Sequence, residues 1–455
     1  MTEILYLGCA VAFIVGLKRL SGPRTARTGN LIAAAGMLGA IVITLIDQEI
    51  LRWEIVLGGL AIGAIVGGWA AIRVQMTAMP QMVAAFNGFG GIASALVAAE
   101  VVASNDLADL PLDTSITVLL STLIGAITFT GSFVAFGKLQ GIITGRPVLY
   151  PGQRTVNATL TLTAFGVGIG TLVASNNNGY WLLGGIALLI GIVAVLPIGG
   201  ADMPVVISLL NSFSGVAAAA AGFVISNNAL IVGGALVGAA GLILTIQMTE
   251  AMNRSLANVL FAGFGAGDGI GGAGDIRDRP VKRATAHDAA IILRYADRVM
   301  IVPGYGLAVA QAQHAARDLA VALEERGVSV SYAIHPVAGR MPGHMNVLLA
   351  EADVPYERLL DLEQADPQLP QVDAVLILGA NDVVNPAARD DPESPIYGMP
   401  ILNVDRAGSV IVVKRSLSPG FAGIDNPLFY NEKTLMYFAD AREALEQMLT
   451  ALRDV

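Results

Sequence analysis

Cysteine is nearly absent from this chain, and the single residue of that type, Cys9, lies in the first apolar segment. A disulfide framework, a CxxC redox motif and a cysteine-ligated cluster within the chain are therefore excluded. Charged residues are also scarce, at 14% of the sequence, against roughly 25% in ordinary globular domains. The net charge is -9 and no basic stripe with interleaved aromatics is present, so nucleic-acid binding is not favoured. No metal site is predicted.

Long apolar runs dominate the first half of the chain. Nine segments approach the roughly 20 residues that an α-helix needs to cross a bilayer. Small residues recur within them at four-residue spacing, as in Gly63/Gly67 and Gly234/Gly238, and such pairs let helices pack closely in lipid. The sequence thus predicts a polytopic α-helical membrane domain over residues 1–248. The segments lie at 3–20, 29–46, 54–72, 82–103, 115–137, 156–175, 180–198, 204–225 and 229–248.

Basic residues are unevenly divided between the loops that join these segments. The odd-numbered loops carry eight, whereas the even-numbered loops carry only Arg52. Because loops rich in Lys and Arg stay in the cytoplasm, we expect the N-terminus outside and the C-terminal domain in the cytoplasm. The eight residues are Lys18, Arg19, Arg24, Arg27, Arg73, Lys138, Arg146 and Arg154.

A sequence pattern occurs twice in the membrane domain, at 79–93 and 203–217, with an offset of 124 residues. Both copies begin Met-Pro, and proline is favoured at the start of a helix. Both then place an asparagine about two turns further on, Asn87 and Asn211. Polar groups inside a membrane indicate either function or hydrogen bonding between helices. The paired placement favours a polar path between the two helices, and helix–helix bonding alone is the alternative.

The two copies differ in the residue before Met-Pro, which is Ala78 in the first and Asp202 in the second. Asp202 is the only ionisable residue of its loop, at the predicted cytoplasmic mouth of the eighth span. A carboxylate there either caps the helix N-terminus or accepts a proton at the end of the Asn211 path. No histidine lies in the membrane domain, because the four in the chain are His287, His314, His335 and His344.

A glycine-rich segment follows the last span. Residues 262–274 include seven glycines, and the charged run 275–283 comes next. Such a stretch cannot pack into a core and behaves as a flexible tether. We therefore predict a hinge over 249–283 and a soluble domain over 284–455.

Strands and helices are predicted to alternate after the hinge, an order typical of a doubly wound parallel sheet, the Rossmann-like α/β class. The first strand runs into Gly304-x-Gly306-x-x-Val309, a phosphate-binding turn with valine at the third position. A tight turn without a ligand is the alternative interpretation. Strands are expected at 298–303, 328–335, 354–360, 372–379, 400–405 and 409–415, and helices at 307–326, 343–352, 385–390 and 437–453.

Two features favour NADP over NAD as the ligand. The second strand ends at Ile334-His335-Pro336, without the acidic residue that would hold a ribose 2′-hydroxyl. On a later strand, Lys414-Arg415-Ser416 groups two cations and a hydroxyl, which suit a 2′-phosphate, although a surface basic pair also arises by chance. The turn 379–386 follows an apolar strand, and the glycine-flanked loop 418–427 has the composition of a cover over a pyrophosphate.

These motifs resemble the β-subunit family of proton-translocating nicotinamide nucleotide transhydrogenases, and the resemblance covers essentially the whole chain. It implies that this chain binds NADP(H), in an orientation reversed from most Rossmann domains, and that a partner α subunit binds NAD(H). It further implies a proton-translocating membrane domain, a bacterial inner-membrane location and a dimer of the heteromeric unit. The segments that carry the resemblance are 303–313, 335–346, 379–382, 414–416 and 420–423.

The same resemblance assigns roles to individual residues. Lys414, Arg415 and Ser416 are expected to hold the 2′-phosphate, and Gly420–Gly423 to form part of a lid. Asp382, His335 and Arg340 are expected near the nicotinamide. The complete set of expected cofactor-binding residues is Gly304, Tyr305, Gly306, Val309, His335, Val337, Ala338, Gly339, Arg340, Gly379, Ala380, Asn381, Asp382, Lys414, Arg415, Ser416, Gly420, Phe421, Ala422, Gly423 and Asp425.

The expected proton path comprises Asp202, Asn211 and Asn87. Many members of the family have a membrane histidine where this chain has Asn87, so a histidine relay would come from a partner subunit. A partner is also expected from chemistry, because hydride transfer needs two carbons nearly in contact and one nucleotide domain provides one of them. The alternative function is a channel or carrier gated by a cytosolic NADP-sensing domain. A structural scaffold would leave the 414–416 cluster unexplained.

Overall fold

The computed structural model describes residues 2–20, 23–47, 53–145, 147–174, 176–200, 202–253, 255–261, 280–341, 343–420 and 422–455. The chain divides into two compact units, one of Met1–Gly199 with Val206–Thr245 and one of Gly200–Val205 with Ile246–Val455. The predicted hinge segment 262–274 lies outside the described residues, as do Arg146 and Phe421.

Long helices make up the first unit. Their residues are mainly Gly, Ala, Leu, Ile and Val, which are compatible with lipid. A helix also pairs its own backbone N–H and C=O groups, as a lipid environment requires. The helices are α1 Thr2–Leu20, α2 Pro23–Asp47, α3 Trp53–Arg73, α4 Met79–Ser104, α5 Leu112–Gln140, α6 Gln153–Ala174, α7 Asn177–Val195, α8 Met203–Val224 and α9 Asn228–Ala251.

Among the described residues, eight helices, α2 to α9, are long and apolar enough to cross a membrane. The first predicted span, 3–20, forms α1 but is not one of them. Glu3 lies in its first turn and Lys18 and Arg19 in its last, so the uncharged stretch between them is too short. The prediction of nine spans is therefore confirmed for eight, and the orientation that was derived from nine remains a prediction.

Glycine allows two pairs of these helices to pack closely. Where α4 meets α5, a Cβ on Gly91 would lie 2.7 Å from the carbonyl oxygen of Gly125. Where α8 meets α9, a Cβ on Gly215 would lie 2.8 Å from the carbonyl oxygen of Gly234. The small-residue pair that contains Gly234 thus serves packing, as expected. Gly63 has open space around it on α3, a helix with no buried residue in this chain.

Lys138, which was counted as a loop residue, lies in the last turn of α5 and is buried. Its ammonium donates hydrogen bonds to the carbonyl oxygens of Leu196, at 2.6 Å, and Ile198, at 2.8 Å. These carbonyls follow α7, and a helix C-terminus carries partial negative charge. Lys138 therefore caps α7, and its charge is bound within the protein.

A six-stranded sheet forms the centre of the second unit. All neighbouring strands are parallel, in the order β3-β2-β1-β4-β5-β6. Parallel strands with helices on both faces are apolar along their whole length, and every residue of β4 is accordingly buried. The strands are β1 Arg298–Pro303, β2 Ser329–Ala333, β3 Leu359–Leu360, β4 Ala374–Leu378, β5 Ser409–Val413 and β6 Thr434–Tyr437.

The remaining helices precede, connect or follow these strands. They are α10 Leu256–Phe261, α11 Ala286–Arg294, α12 Tyr305–Val309, α13 Gln313–Glu324, α14 His344–Glu351, α15 Leu362–Ala365, α16 Ala387–Asp390 and α17 Ala441–Asp454. Together with the membrane-capable helices, this sheet confirms the predicted fold class of a polytopic helical domain followed by a Rossmann-like domain.

Several element predictions in the second unit were wrong. The segment 400–405 is not a strand, because the Leu402 N–H donates to the Val383 carbonyl at 3.0 Å instead of joining a sheet ladder. The helix predicted over 307–326 is divided into α12 and α13 by a turn at Gln311, whose φ is +50°. Strand β6 and helix α11 were not predicted.

Candidate nucleotide site

Four of the predicted segments follow neighbouring strands at one edge of the sheet. Residues 335–340 follow β2, 304–306 follow β1, 379–382 follow β4 and 414–416 follow β5. Because the strands are parallel, their carboxyl ends meet at this edge, and the strand order reverses between β1 and β4. Open α/β sheets bind ligands at such a switch point. The structure therefore brings these sequence-predicted segments together.

The turns after β1 and β4 are in backbone contact, which requires glycine in both. A Cβ on Gly306 would lie 2.6 Å from the Cα of Gly379, and one on Gly304 would overlap the backbone of Ala380. Gly379 also has a φ of +66°, a left-handed conformation that favours glycine. The Gly304 N–H donates to the Leu378 carbonyl at 2.9 Å, and the Gly306 N–H to the Gly379 carbonyl at 3.0 Å. These glycines fix the two turns against each other.

The valine at the third position of the fingerprint is explained by the short helix that follows. The third small residue of this motif normally lets the helix pack closely on the strand. Here α12 ends at Val309, whose side chain is 43% exposed. No close backbone approach at that position requires glycine or alanine.

Tyr305 and Arg340 join the turn after β1 to the segment after β2. The Arg340 guanidinium lies 4.3 Å from the centroid of the Tyr305 ring, within the range of a cation–π contact. Burial raises the pKa of the Tyr305 phenol, and the charge of Arg340 opposes that rise. The Arg340 N–H donates to Nδ1 of His344 at 3.0 Å. His344 is fully buried and was not among the predicted site residues, although it lies in the motif 335–346.

His335 is buried, and both nitrogens of its ring are used. Its Nε2 lies 2.7 Å from the carbonyl oxygen of Pro400, and its Nδ1 accepts the Val337 N–H at 3.3 Å. A carbonyl oxygen only accepts hydrogen bonds, so Nε2 carries a proton. Nδ1 accepts a hydrogen bond and is therefore unprotonated, which makes the ring neutral. Burial lowers the pKa of His335 to about 4, against the smaller effect of the Pro400 hydrogen bond. His335 therefore holds the loop that contains Val337, Ala338 and Gly339, and its ring does not face solvent.

Lys414 lies half-buried just after β5, surrounded by groups that interact with its charge. Its ammonium donates to the Ser418 carbonyl and lies 5.0 Å from the centroid of the Phe429 ring. Burial lowers the pKa of Lys414, and the carboxylates of Asp382 and Asp425 oppose that effect. Lys414 is thus held against the loop that follows it.

Arg415 and Ser416 are exposed at the same edge. The Ser416 hydroxyl lies 2.9 Å from the Ser418 hydroxyl and accepts the Ser418 N–H at 3.3 Å. The three residues predicted to bind a 2′-phosphate therefore differ in their surroundings. Arg415 and Ser416 face solvent, whereas Lys414 also stabilises the loop.

The loop 418–425 folds back onto the turn after β4. Oδ2 of Asp382 accepts the Ala422 N–H at 3.0 Å, and a Cβ on Gly420 would overlap the same carboxylate. The buried side chain of Asn385 donates to the Asp425 carbonyl at 3.1 Å. Glycine at 420 is therefore needed for the loop to approach Asp382, and the role of this segment as a lid stays a prediction. Gly423, with a φ of +73°, is exposed.

Two asparagines complete this contact. The Asn426 amide donates to the backbone carbonyl of Asn381 at 3.1 Å. With its amide oriented to suit its neighbours, the Asn381 side-chain oxygen accepts the Gly420 N–H at 2.6 Å and the Lys414 ammonium at 3.2 Å. Asn426 was not predicted as a site residue, although it lies in the loop 418–427 that the sequence singled out.

The two copies of the membrane repeat begin helices at the same point, since α4 starts at Met79 and α8 at Met203. The buried Asn87 amide donates to the Ile207 carbonyl on α8 at 3.2 Å. In a regular helix that carbonyl also accepts the N–H four residues later, which is that of Asn211. The structure therefore brings the Asn87 side chain to the backbone of α8 one helical turn before Asn211.

A serine on α5 also connects the two repeat helices, and Asp202 is the remaining residue of the predicted path. The buried hydroxyl of Ser121 on α5 lies 3.0 Å from the Ser94 carbonyl on α4 and 3.3 Å from the Ala217 carbonyl on α8. Serine is common in apolar helices, so the sequence alone did not single it out. Asp202 is half-buried and directly precedes α8, a position that suits either a cap or a proton acceptor.

Comparisons with known proteins agree over nearly the full length of the chain. Residues 2–451 match the family model described as NAD(P) transhydrogenase beta subunit. The chain is 47% identical to the NAD(P) transhydrogenase subunit beta of Rhodospirillum rubrum over an alignment of 459 positions, which covers 99% of each protein. The subunit from Rhodospirillum rubrum strain ATCC 11170 has the same identity and coverage.

Proposed function

Because this chain belongs to the NAD(P) transhydrogenase beta subunit family, we propose that it binds NADP(H) at the carboxyl edge of its sheet. We further propose that it couples hydride exchange with NAD(H), held by a partner α subunit, to proton translocation through its membrane helices. A bacterial inner-membrane location, with the sheet in the cytoplasm, is part of the same proposal.

The observation that carries the proposal is the position of residues 414–416. They lie at the end of β5, on the edge where the segments after β1, β2 and β4 also meet. Two cations and a hydroxyl there provide charge-assisted donors for a phosphate. The residues present thus fit NADP(H) better than NAD(H).

The other residues of this edge have supporting roles. Asp382 anchors the loop 418–425 through the Ala422 N–H, so closure of that loop over the ligand depends on this carboxylate. Tyr305 and Arg340 form a stacked pair beside the glycine turns, and we place them at the nicotinamide end. The bound cofactor supplies the hydride chemistry, while these residues orient it and exclude water.

Proton movement is assigned to the contact between the repeat helices. The Asn87 amide binds the Ile207 carbonyl of α8, one helical turn before Asn211, and Asp202 directly precedes that helix. An amide neither gains nor loses a proton near neutral pH, so the asparagines orient a hydrogen-bonded path and Asp202 is its titratable end. A histidine contributed by the partner would supply a second titratable group beside Asn87.

A proton gradient can drive such an exchange because NADH and NADPH have nearly equal nicotinamide potentials. One charge crossing 100 mV provides about 2.3 kcal/mol, which is roughly a fortyfold bias in the exchange equilibrium. The test is to reconstitute the full chain with its α subunit in sealed vesicles and to measure NADP⁺ reduction by NADH. We expect an imposed gradient to accelerate it and the reverse reaction to pump protons. Hydride exchange that ignores the gradient would refute the coupling.

A further inference from the structure

Residues 282–284 extend the sheet beyond β6. The Met436 N–H donates to the Lys282 carbonyl at 2.7 Å, and the Ala284 N–H to the Met436 carbonyl at 3.0 Å. Arg283 and Met436 form a parallel bridge. The chain therefore enters the Rossmann-like unit beside β6 through one parallel bridge, and we call residues 282–284 the entry strand.

Side chains hold the entry strand in place at three points. The Lys282 ammonium donates to the Glu432 carbonyl at 2.6 Å. The Arg283 guanidinium lies 5.5 Å from the centroid of the Phe438 ring. Val281, just before the entry strand, packs against the buried core of the sheet. Side-chain contacts as well as backbone hydrogen bonds therefore attach the entry strand to the sheet.

The same part of β6 supports the start of the proposed 2′-phosphate cluster. Val413 pairs with Tyr437, and the Lys414 N–H donates to the Tyr437 carbonyl at 3.1 Å. Tyr437 precedes Phe438, the residue that Arg283 covers. Tyr437 therefore links Phe438, which Arg283 contacts, to the backbone of Lys414.

The direction of the entry strand determines the edge of the sheet from which the preceding chain arrives. Because it runs parallel to β6, the chain arrives from the amino edge of the sheet, opposite the edge where residues 414–416 lie. A pull on the chain before Lys282 would therefore be borne by the hydrogen bonds between residues 282–284 and Met436 and by the Arg283–Phe438 contact.

We propose that the entry strand, with Arg283 as its anchoring side chain, transmits the state of the membrane domain to Lys414–Ser416 and so sets the rate of NADP(H) release. This inference rests on the proposed function. Arg283 is a positioning residue that acts through Phe438 and Tyr437, and it does not contact the ligand.

The experiment uses the full chain, reconstituted with its α subunit in sealed vesicles, and measures NADP⁺ release with and without a proton gradient. We expect Arg283→Ala to reduce the ratio of the two release rates roughly two- to fivefold, the factor that an exposed cation–π contact provides. Arg283→Lys should restore most of the ratio, because it keeps a cation over the ring. Phe438→Leu, which removes the ring and keeps an apolar side chain, should reproduce the loss from the other partner.

Arg294→Ala is the matched control. Arg294 lies 5.9 Å from the Tyr295 ring at the end of α11, so Arg294→Ala loses the same kind of contact at the end of α11 that is remote from the entry strand. An unchanged ratio in Arg283→Ala, or an equal loss in Arg294→Ala, would overturn the role of the entry strand. If the unmodified chain releases NADP⁺ at one rate regardless of the gradient, the proposed function fails first, and this inference fails with it.

Discussion

Removal of the Arg415 guanidinium should reduce the preference for NADP(H) over NAD(H) without loosening the fold. Arg415 is exposed at the end of β5, so Arg415→Ala leaves no buried group without a partner. Lys414 differs, because its ammonium also donates to the Ser418 carbonyl and stacks on Phe429. Lys414→Ala should therefore weaken the binding of both nucleotides.

The size of the Arg415 effect follows from the interaction that is lost. A hydrogen bond to a charged group contributes about 1.5–3 kcal/mol, and solvent exposure places Arg415 at the lower end of that range. Since about 1.4 kcal/mol is tenfold in affinity, Arg415→Ala should weaken NADP(H) binding roughly tenfold. NAD(H) lacks the 2′-phosphate, so its affinity should stay within a factor of about two.

Equilibrium binding of the four nucleotides to the purified full chain, by calorimetry in detergent, measures both quantities. Arg442→Ala is the control, because Arg442 is equally exposed on α17 and pairs only locally with Glu446. An Arg415→Ala protein that retains its full NADP(H) preference would refute the assignment of the 2′-phosphate to this cluster. Equal affinity for NADP(H) and NAD(H) in the unmodified chain would refute it more directly.

Three further predictions concern other parts of the chain. Asp202→Asn keeps a side chain that can cap the helix but removes the titratable proton, so reconstituted vesicles should lose proton pumping and still bind NADP(H). Normal pumping by this variant would show that Asp202 only caps α8. Several Gly→Pro substitutions within 262–274 should slow coupled turnover and leave NADP(H) affinity unchanged, and unaltered turnover would make the segment a spacer. Burial lowers the pKa of His335 to about 4 in the folded state, so between about pH 4 and 6.5 the unfolded state binds a proton that the folded state does not. The free energy of unfolding should therefore fall as the pH is lowered from 6.5 toward 4, by about 3 kcal/mol. His335→Gln, which retains a donor for Pro400, should flatten that part of the pH profile of thermal unfolding, and an unchanged profile would contradict the assignment.

The soluble fold was predictable where its signals are local. β1 occupies the predicted range 298–303, because an apolar strand that meets a glycine turn is recognisable within a few residues. The short β6 was missed because Thr434–Tyr437 has no such pattern and is a strand only through its neighbours β5 and the entry strand. The segment 400–405 was wrongly taken as a strand because it is equally apolar, yet its backbone bonds to Val383.

The sequence by itself determined the class of protein. A run of about twenty apolar residues indicates a membrane helix. The first strand with its glycine turn, and the cluster of cations at 414–416, are also contiguous in the chain. Each of these signals can therefore be recognised before the fold is known. Tertiary structure alone decided which of these groups meet and which are buried. It placed Lys414 beside Asp382, turned the His335 ring into the core, and joined Asn87 to α8 through the Ile207 carbonyl. Such contacts link residues far apart in the chain, and their geometry depends on how whole strands and helices pack, which no local pattern of side chains encodes.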